Sequence, residues 1–152
     1  MLKKYSRIII FALCVVLTLA YIFGNSLTTR EKSNATSKKI TEQIKPIIDP
    51  EDKIPAKELN QRIRKTAHCI EFGVLGIFLA LLFDNIKKCF SKTDVFAPLM
   101  LSLSAAVADE YIQTFNDRGS QVEDVLIDFG GAIAGMFLVF IFFMALRKRS
   151  KI

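Results

Sequence analysis

Residues 125–146 read Val-Leu-Ile-Asp-Phe-Gly-Gly-Ala-Ile-Ala-Gly-Met-Phe-Leu-Val-Phe-Ile-Phe-Phe-Met-Ala-Leu, with Asp128 the one ionisable side chain in the run. A helix needs roughly 20 predominantly apolar residues to cross the hydrocarbon core of a bilayer. It also satisfies its backbone hydrogen bonds within the segment, as a lipid environment demands. Working outward from this run, three more blocks have the same character: 8–24, 67–83 and 95–114. The composition agrees, since 51% of the 152 residues are hydrophobic and most of them fall in these four blocks. A water-soluble core would spread them as short amphipathic segments instead. The chain therefore reads as one all-α membrane domain over residues 1–152, with four transmembrane helices.

Block 8–24 follows Lys3, Lys4 and Arg7, the pattern that opens a secretory signal. Its apolar run is longer than the roughly 7–15 residues of such a signal, and Ala20-Tyr21-Ile22-Phe23-Gly24 makes a poor cleavage site. It is expected to remain as the first span. The formal net charge of +6 does not point to nucleic acid, because the bases lie in connections and termini and build no basic face on a soluble fold. Three cysteines, Cys14, Cys69 and Cys89, sit at different depths and suggest neither a disulfide framework nor a zinc site.

The bases set an orientation. Lys3, Lys4 and Arg7 precede the first span, Lys87, Lys88 and Lys92 lie between the second and third, and Arg147, Lys148, Arg149 and Lys151 follow the fourth. All three groups fall on one side, which the positive-inside rule makes cytoplasmic. Both termini are then inside. The first connection, 25–66, is also basic, but long loops weigh less in that rule. Within it, over residues 37–48, Ile40, Ile44, Ile47 and Ile48 recur at helical spacing among Lys38, Lys39 and Lys45. This predicts a short amphipathic helix, lying at the outer interface or solvated in the loop. No breaker intervenes from residue 56 to Gly73, so a helix is expected to run straight into the second span. Gly73, Gly76 and Ala80, then Ser104 and Ala108, then Gly131 and Gly135, mark faces where helices can approach closely.

Charge within the spans is one-sided. His68 and Glu71 open the second, Asp109, Glu110 and Gln113 close the third, and Asp124 and Asp128 open the fourth. In an up-and-down bundle all lie at the same end, which the orientation makes the outer one. Spacings of three and four put each set on one helix face, and the bundle interior is the place for such groups. This predicts an outward-facing polar pocket between spans two, three and four. Asp124 suits a helix N-terminus, and Ser120 with Glu123 fits a capping box. Asp109 and Glu110 sit near a helix C-terminus, where the dipole opposes negative charge. Five carboxylates, Glu71, Asp109, Glu110, Asp124 and Asp128, meet Lys65 and Arg118, with Arg64 and the titratable His68 nearby. The excess of acid calls for protonated carboxyls, a bound divalent cation or a cationic substrate group, and the spacing does not choose among them. A purely structural ion-pair network accounts for the pairing but not for the excess. Proton or ion conduction is disfavoured, because the cytoplasmic halves of the spans carry no relay.

At these residues the chain resembles the VanZ-like family of small membrane proteins. Phe23-Gly24-Asn25-Ser26, followed by Ser33 and Ser37, is similar to its serine-bearing stretch. The run from Arg64 through His68 and Glu71 to Phe72 resembles R-K-x-A-H-x-x-E-Y. Asp109-Glu110-Tyr111-Ile112-Gln113 resembles D-E-x-x-Q, and Arg118 stands in the place of a loop arginine. Asp124 with Gly131 and Gly135 resembles D-x-x-x-N-x-x-G-x-x-x-G. Two positions depart: Phe72 replaces the usual tyrosine, and Asp128 stands where asparagine is common. The resemblance implies a bacterial plasma-membrane protein and a link to low-level resistance to glycopeptides such as teicoplanin. The expected partner is a cell-envelope lipid or lipid-linked wall precursor. If the protein is an enzyme, His68 or Glu110 is the expected general base, Glu71 or Asp109 orients or binds metal, and Lys65 and Arg118 hold phosphate. If it only binds or relocates a ligand, the same charges, with Gln113, Asp124 and Asp128, serve recognition.

Overall fold

A computed structural model describes residues 2–91, 94–116 and 119–149. Among these residues there are five helices and no strand: α1 Leu2–Ser26, α2 Arg30–Ile48, α3 Ala56–Phe90, α4 Phe96–Thr114 and α5 Val122–Arg149. Three stretches, Tyr5–Ser26, Ala56–Phe90 and Val122–Lys148, are long and apolar enough to cross a membrane. The block at 95–114 does form a helix, α4, but Asp109, Glu110 and Gln113 in its last turns dilute its apolar character.

The expected continuity from residue 56 is present, and it makes α3 a helix of 35 residues. At about 1.5 Å per residue that is about 52 Å, well beyond a hydrocarbon core of about 30 Å. The first turns of α3 therefore extend past the bundle, and α2 packs against them. Leu59 on α3 and Ser37 and Thr41 on α2 are buried, and the Thr41 hydroxyl donates to Asn60 Oδ1 at 3.2 Å. The helix expected from the isoleucine spacing is thus real and starts earlier, at Arg30. Its isoleucines are not its buried residues: Ile40, Ile47 and Ile48 are exposed and Ile44 is half-buried. The turn into α3 is held by Asp49, which accepts the backbone N–H groups of Lys53 at 3.0 Å and Ile54 at 2.7 Å.

The core is formed by Ile22, Phe72, Leu75, Leu79, Ala105, Ala106 and Ala132. Much of the remaining apolar surface faces outward, including Ile9, Leu13 and Leu17 on α1 and Phe137, Leu138 and Phe142 on α5. Meanwhile Ser26, Ser102, Asp109 and Asp128 are among the most deeply buried side chains. Apolar outside with polar groups inside is the pattern that lipid selects. Along α4 the buried stripe is Pro98, Ser102, Ala105, Ala106, Asp109, Glu110 and Gln113, a helical repeat of three and four. This corrects the expected pairing of Ser104 with Ala108, since Ser104 is exposed and the packing positions lie on the neighbouring face.

The expected glycine faces on α3 and α5 are where the two helices come closest. A Cβ at Gly76 would lie 2.0 Å from the Ala132 carbonyl oxygen, and one at Gly135 would lie 2.0 Å from that of Gly73. At Gly131 the corresponding distance to the Cys69 oxygen is 2.3 Å. No side chain fits there, so backbone meets backbone and the two helices lock in one register. That register brings α3 residues 65–72 beside the first turns of α5.

Candidate functional site

The site is assembled from the end of α1, the middle of α3, the end of α4 and the start of α5. Asp109 is fully buried and lies at its centre. The Ser26 hydroxyl donates to Asp109 Oδ1 at 2.5 Å, and the Gln113 amide donates to Oδ2 at 2.7 Å. The same amide nitrogen donates to Glu110 Oε1 at 2.9 Å. Glu110 Oε2 accepts the backbone N–H of Gln121 at 3.1 Å, which ties α4 to the residue preceding α5. His68 on α3 places Nδ1 3.7 Å from Asp109 Oδ2.

Lys65, one turn before His68, pairs with Asp124 at 2.9 Å and with Glu123 at 3.2 Å. This fastens α3 to the start of α5. Asp128, one turn further along α5, is 1% exposed. Among the described residues, neither of its carboxylate oxygens has a hydrogen-bond partner. Around a cavity of about 10 Å³ the lining side chains include His68, Glu110, Gln113, Asp124 and Asp128. That space admits one water or one ion. His68, Asp109 and Asp128 each offer one ligand atom, all within 4.8 Å of one another.

The predicted cluster is therefore brought together at one end of the bundle, with three differences. Glu71 turns away from the small cavity: its Oε1 accepts a hydrogen bond from the Asn25 amide at 3.1 Å. It lines instead a groove of about 450 Å³ between α1, α2 and α3. Second, α1 joins the site. The expected pocket lies between the second, third and fourth spans, yet Ser26 supplies a donor to Asp109, Asn25 supplies one to Glu71 beside it, and Asn116 donates to the Ser26 carbonyl at 3.1 Å. A first span that ends at Gly24 leaves both residues in a loop, whereas α1 continues through Ser26 and carries them into the bundle. Third, α5 starts at Val122, and the Gln121 carbonyl accepts the N–H groups of Asp124 and Val125. Gln121 precedes the helix, so Ser120 is not the cap. Arg118 lies outside the described residues.

Phe72, which replaces a tyrosine of the family pattern, is fully buried in the apolar core. Phenylalanine suits that position because a hydroxyl there would need a partner.

Outside the cluster a wider cavity of about 590 Å³ opens between α2 and the start of α3. Arg30, Lys38, Lys45, Lys57 and Arg64 line it with the single acid Glu42, and Gln121 closes its inner side. Arg64 lines this basic cavity, the small cavity and the α1–α2–α3 groove alike.

No curated relative and no solved structure matches the chain. Residues 9–143, from within α1 to within α5, match the family described as VanZ/LLP1. With that match over most of its length, the chain belongs to the VanZ/LLP1 family.

Proposed function

We propose that the protein works at the outer face of a bacterial plasma membrane on the anionic head of a cell-envelope lipid or lipid-linked wall precursor. In this reading α1, α3, α4 and α5 all cross, and both termini are cytoplasmic. The course of the chain supports the fourth crossing. α3 enters the bundle, and α5 starts, at the end that holds the polar cluster, which favours an α4 that returns the chain across the same thickness. Its 19 residues cover about 28 Å at 1.5 Å each. Its charges face inward, while Met100, Leu101 and Val107 face out.

The observation that carries the reading is the basic cavity that shares Arg64 with the buried cluster. Arg and Lys side chains converge there in excess of acid, the chemistry that recognises phosphate. The groove beside it, lined by Tyr21, Ile40 and Ile63 together with Lys32 and Arg64, offers an acyl or prenyl chain a path from the lipid phase. Binding a wall precursor in this way would lower susceptibility to a glycopeptide such as teicoplanin. Two chemistries fit: acid–base catalysis with His68 or Glu110 as base, or recognition without a reaction. The hydrogen-bonded lattice of Ser26, Gln113, Asp109 and Glu110 favours recognition, because groups so paired are fixed in place.

The test is binding of a polyprenyl phosphate in nanodiscs, comparing the wild type with Lys57→Glu and Lys38→Glu. Each reversal should weaken binding about tenfold or more, the scale of one charge-assisted contact. Unchanged affinity in both variants refutes the phosphate reading. For the chemistry, His68→Gln that still binds but loses the cellular phenotype as fully as His68→Ala indicates catalysis. A retained phenotype indicates recognition.

A further inference from the structure

We propose that His68, Asp109 and Asp128 hold a divalent transition-metal ion. The inference does not depend on the lipid reading, which rests on the basic cavity rather than the small one, although His68 enters both readings. Three observations converge. The ligand atoms come from three helices and lie within 4.8 Å of one another. Atoms sharing an ion at about 2.1 Å are at most about 4.2 Å apart, so a small side-chain adjustment closes the trio. The space they border is about 10 Å³, the size of a single ion or water.

The third observation is Asp128 itself. It is 1% exposed and, among the described residues, both its oxygens are without a hydrogen-bond partner. A carboxylate in that position costs several kcal/mol unless something compensates it. Arg64 borders the same cavity but makes no hydrogen bond to Asp128, and other donors of the cluster are committed elsewhere. Ser26 and Gln113 serve Asp109 and Glu110, and Lys65 serves Asp124 and Glu123. A cation bound between Asp128, Asp109 and the imidazole supplies the missing charge and takes one oxygen of each carboxylate as a ligand.

The donor set indicates the kind of ion. One imidazole with two carboxylates suits Mn²⁺ or Zn²⁺ better than Ca²⁺ or Mg²⁺, which prefer all-oxygen sites. Three protein ligands leave a position open, as sites that polarise a ligand do. The surroundings already orient the ligands. Ser26 and Gln113 fix both oxygens of Asp109, the kind of outer support that metal-binding carboxylates carry.

The experiment uses the full chain, purified in detergent, stripped with a chelator and titrated with MnCl₂ while the free-ion EPR signal is followed. The wild type should remove one equivalent per chain from the signal. Asp128→Asn should weaken binding at least about 100-fold, since even outer-shell changes cost 10–100-fold. His68→Gln should weaken it at least about tenfold. Melting curves give an independent readout: MnCl₂ should raise the midpoint of the wild type and leave that of Asp128→Asn unmoved. Absence of stoichiometric binding to the wild type overturns the proposal, and so does affinity that survives Asp128→Asn. Should that variant fail to fold, His68→Gln decides: unchanged affinity there overturns the site.

Discussion

At the scale of single residues, the buried carboxylates are unequal, and their partners say why. Asp109 has a donor for each oxygen, and Glu110 has an amide on one and a backbone N–H on the other. Gln113 is the hinge of this arrangement, because one nitrogen serves both acids. Replacing it by leucine keeps much of the volume but strips a donor from each carboxylate. The expected loss is about 1–3 kcal/mol for each group left short, read as a lower unfolding midpoint in detergent. Ser26→Ala removes one donor from Asp109 alone and should cost about half as much. Equal melting of Gln113→Leu and wild type would show that the lattice contributes nothing to stability. Much of this was legible in the chain. Charges in an apolar run cannot face lipid, so His68, Asp109, Glu110, Gln113, Asp124 and Asp128 had to turn inward and meet. Ser26 and Asn25 were harder to see, because small polar residues at the end of a span look the same whether they enter a loop or cap a pocket.

At the scale of elements, the α3–α5 pair sets the register of the site. Its glycines can be tested against one another. Gly76→Leu forces a side chain where a Cβ already falls 2.0 Å from a backbone oxygen, whereas Gly24 has nothing within 4 Å. The first change should destabilise the bundle by about 1–3 kcal/mol or more, and the second should leave the melting midpoint within error. Similar melting of the two variants would mean the helices part without penalty. A second element test concerns α2. Asp49 holds the turn through two backbone N–H groups, so Asp49→Ala should speed hydrogen exchange at Lys53 and Ile54. The core helices should keep their protection. The α3–α5 contact was foreseeable from Gly73, Gly76, Gly131 and Gly135, because residues without bulk recurring on one face have few other uses in lipid. The α4 face was misjudged: Ser104 and Ala108 obey the same spacing as Ser102 and Ala106, and spacing alone does not say which of two adjacent stripes is buried.

At the scale of the whole molecule, the question is which end faces out. Bases cluster at the end formed by Lys87 and Lys88 of α3 and Arg147 and Lys148 of α5, which the positive-inside rule assigns to the cytoplasm. Cys89 lies at that end and Ser120 at the other. In whole cells a variant retaining Cys89 as its single cysteine should resist a membrane-impermeant thiol reagent, while one with Ser120→Cys as its single cysteine should react. The reverse pattern would turn the polar cluster to the cytoplasm and with it the proposed substrate. The number of helices that cross is hard to read from the sequence for one physical reason. α4 carries the buried acids that the site needs, and the same acids lower its hydropathy below that of the other three.

The length of α3 has a mechanical side. One unbroken helix carries Asn60, where α2 is attached, and His68, which faces the buried acids, about two turns apart. A helix is stiff over that distance, so the two points cannot move independently. A displacement of α2 would therefore reach His68 as a tilt of α3 about its glycine contacts with α5. Asn60 and His68 lie on the same side of those contacts, so the two would swing together, His68 over the shorter arc.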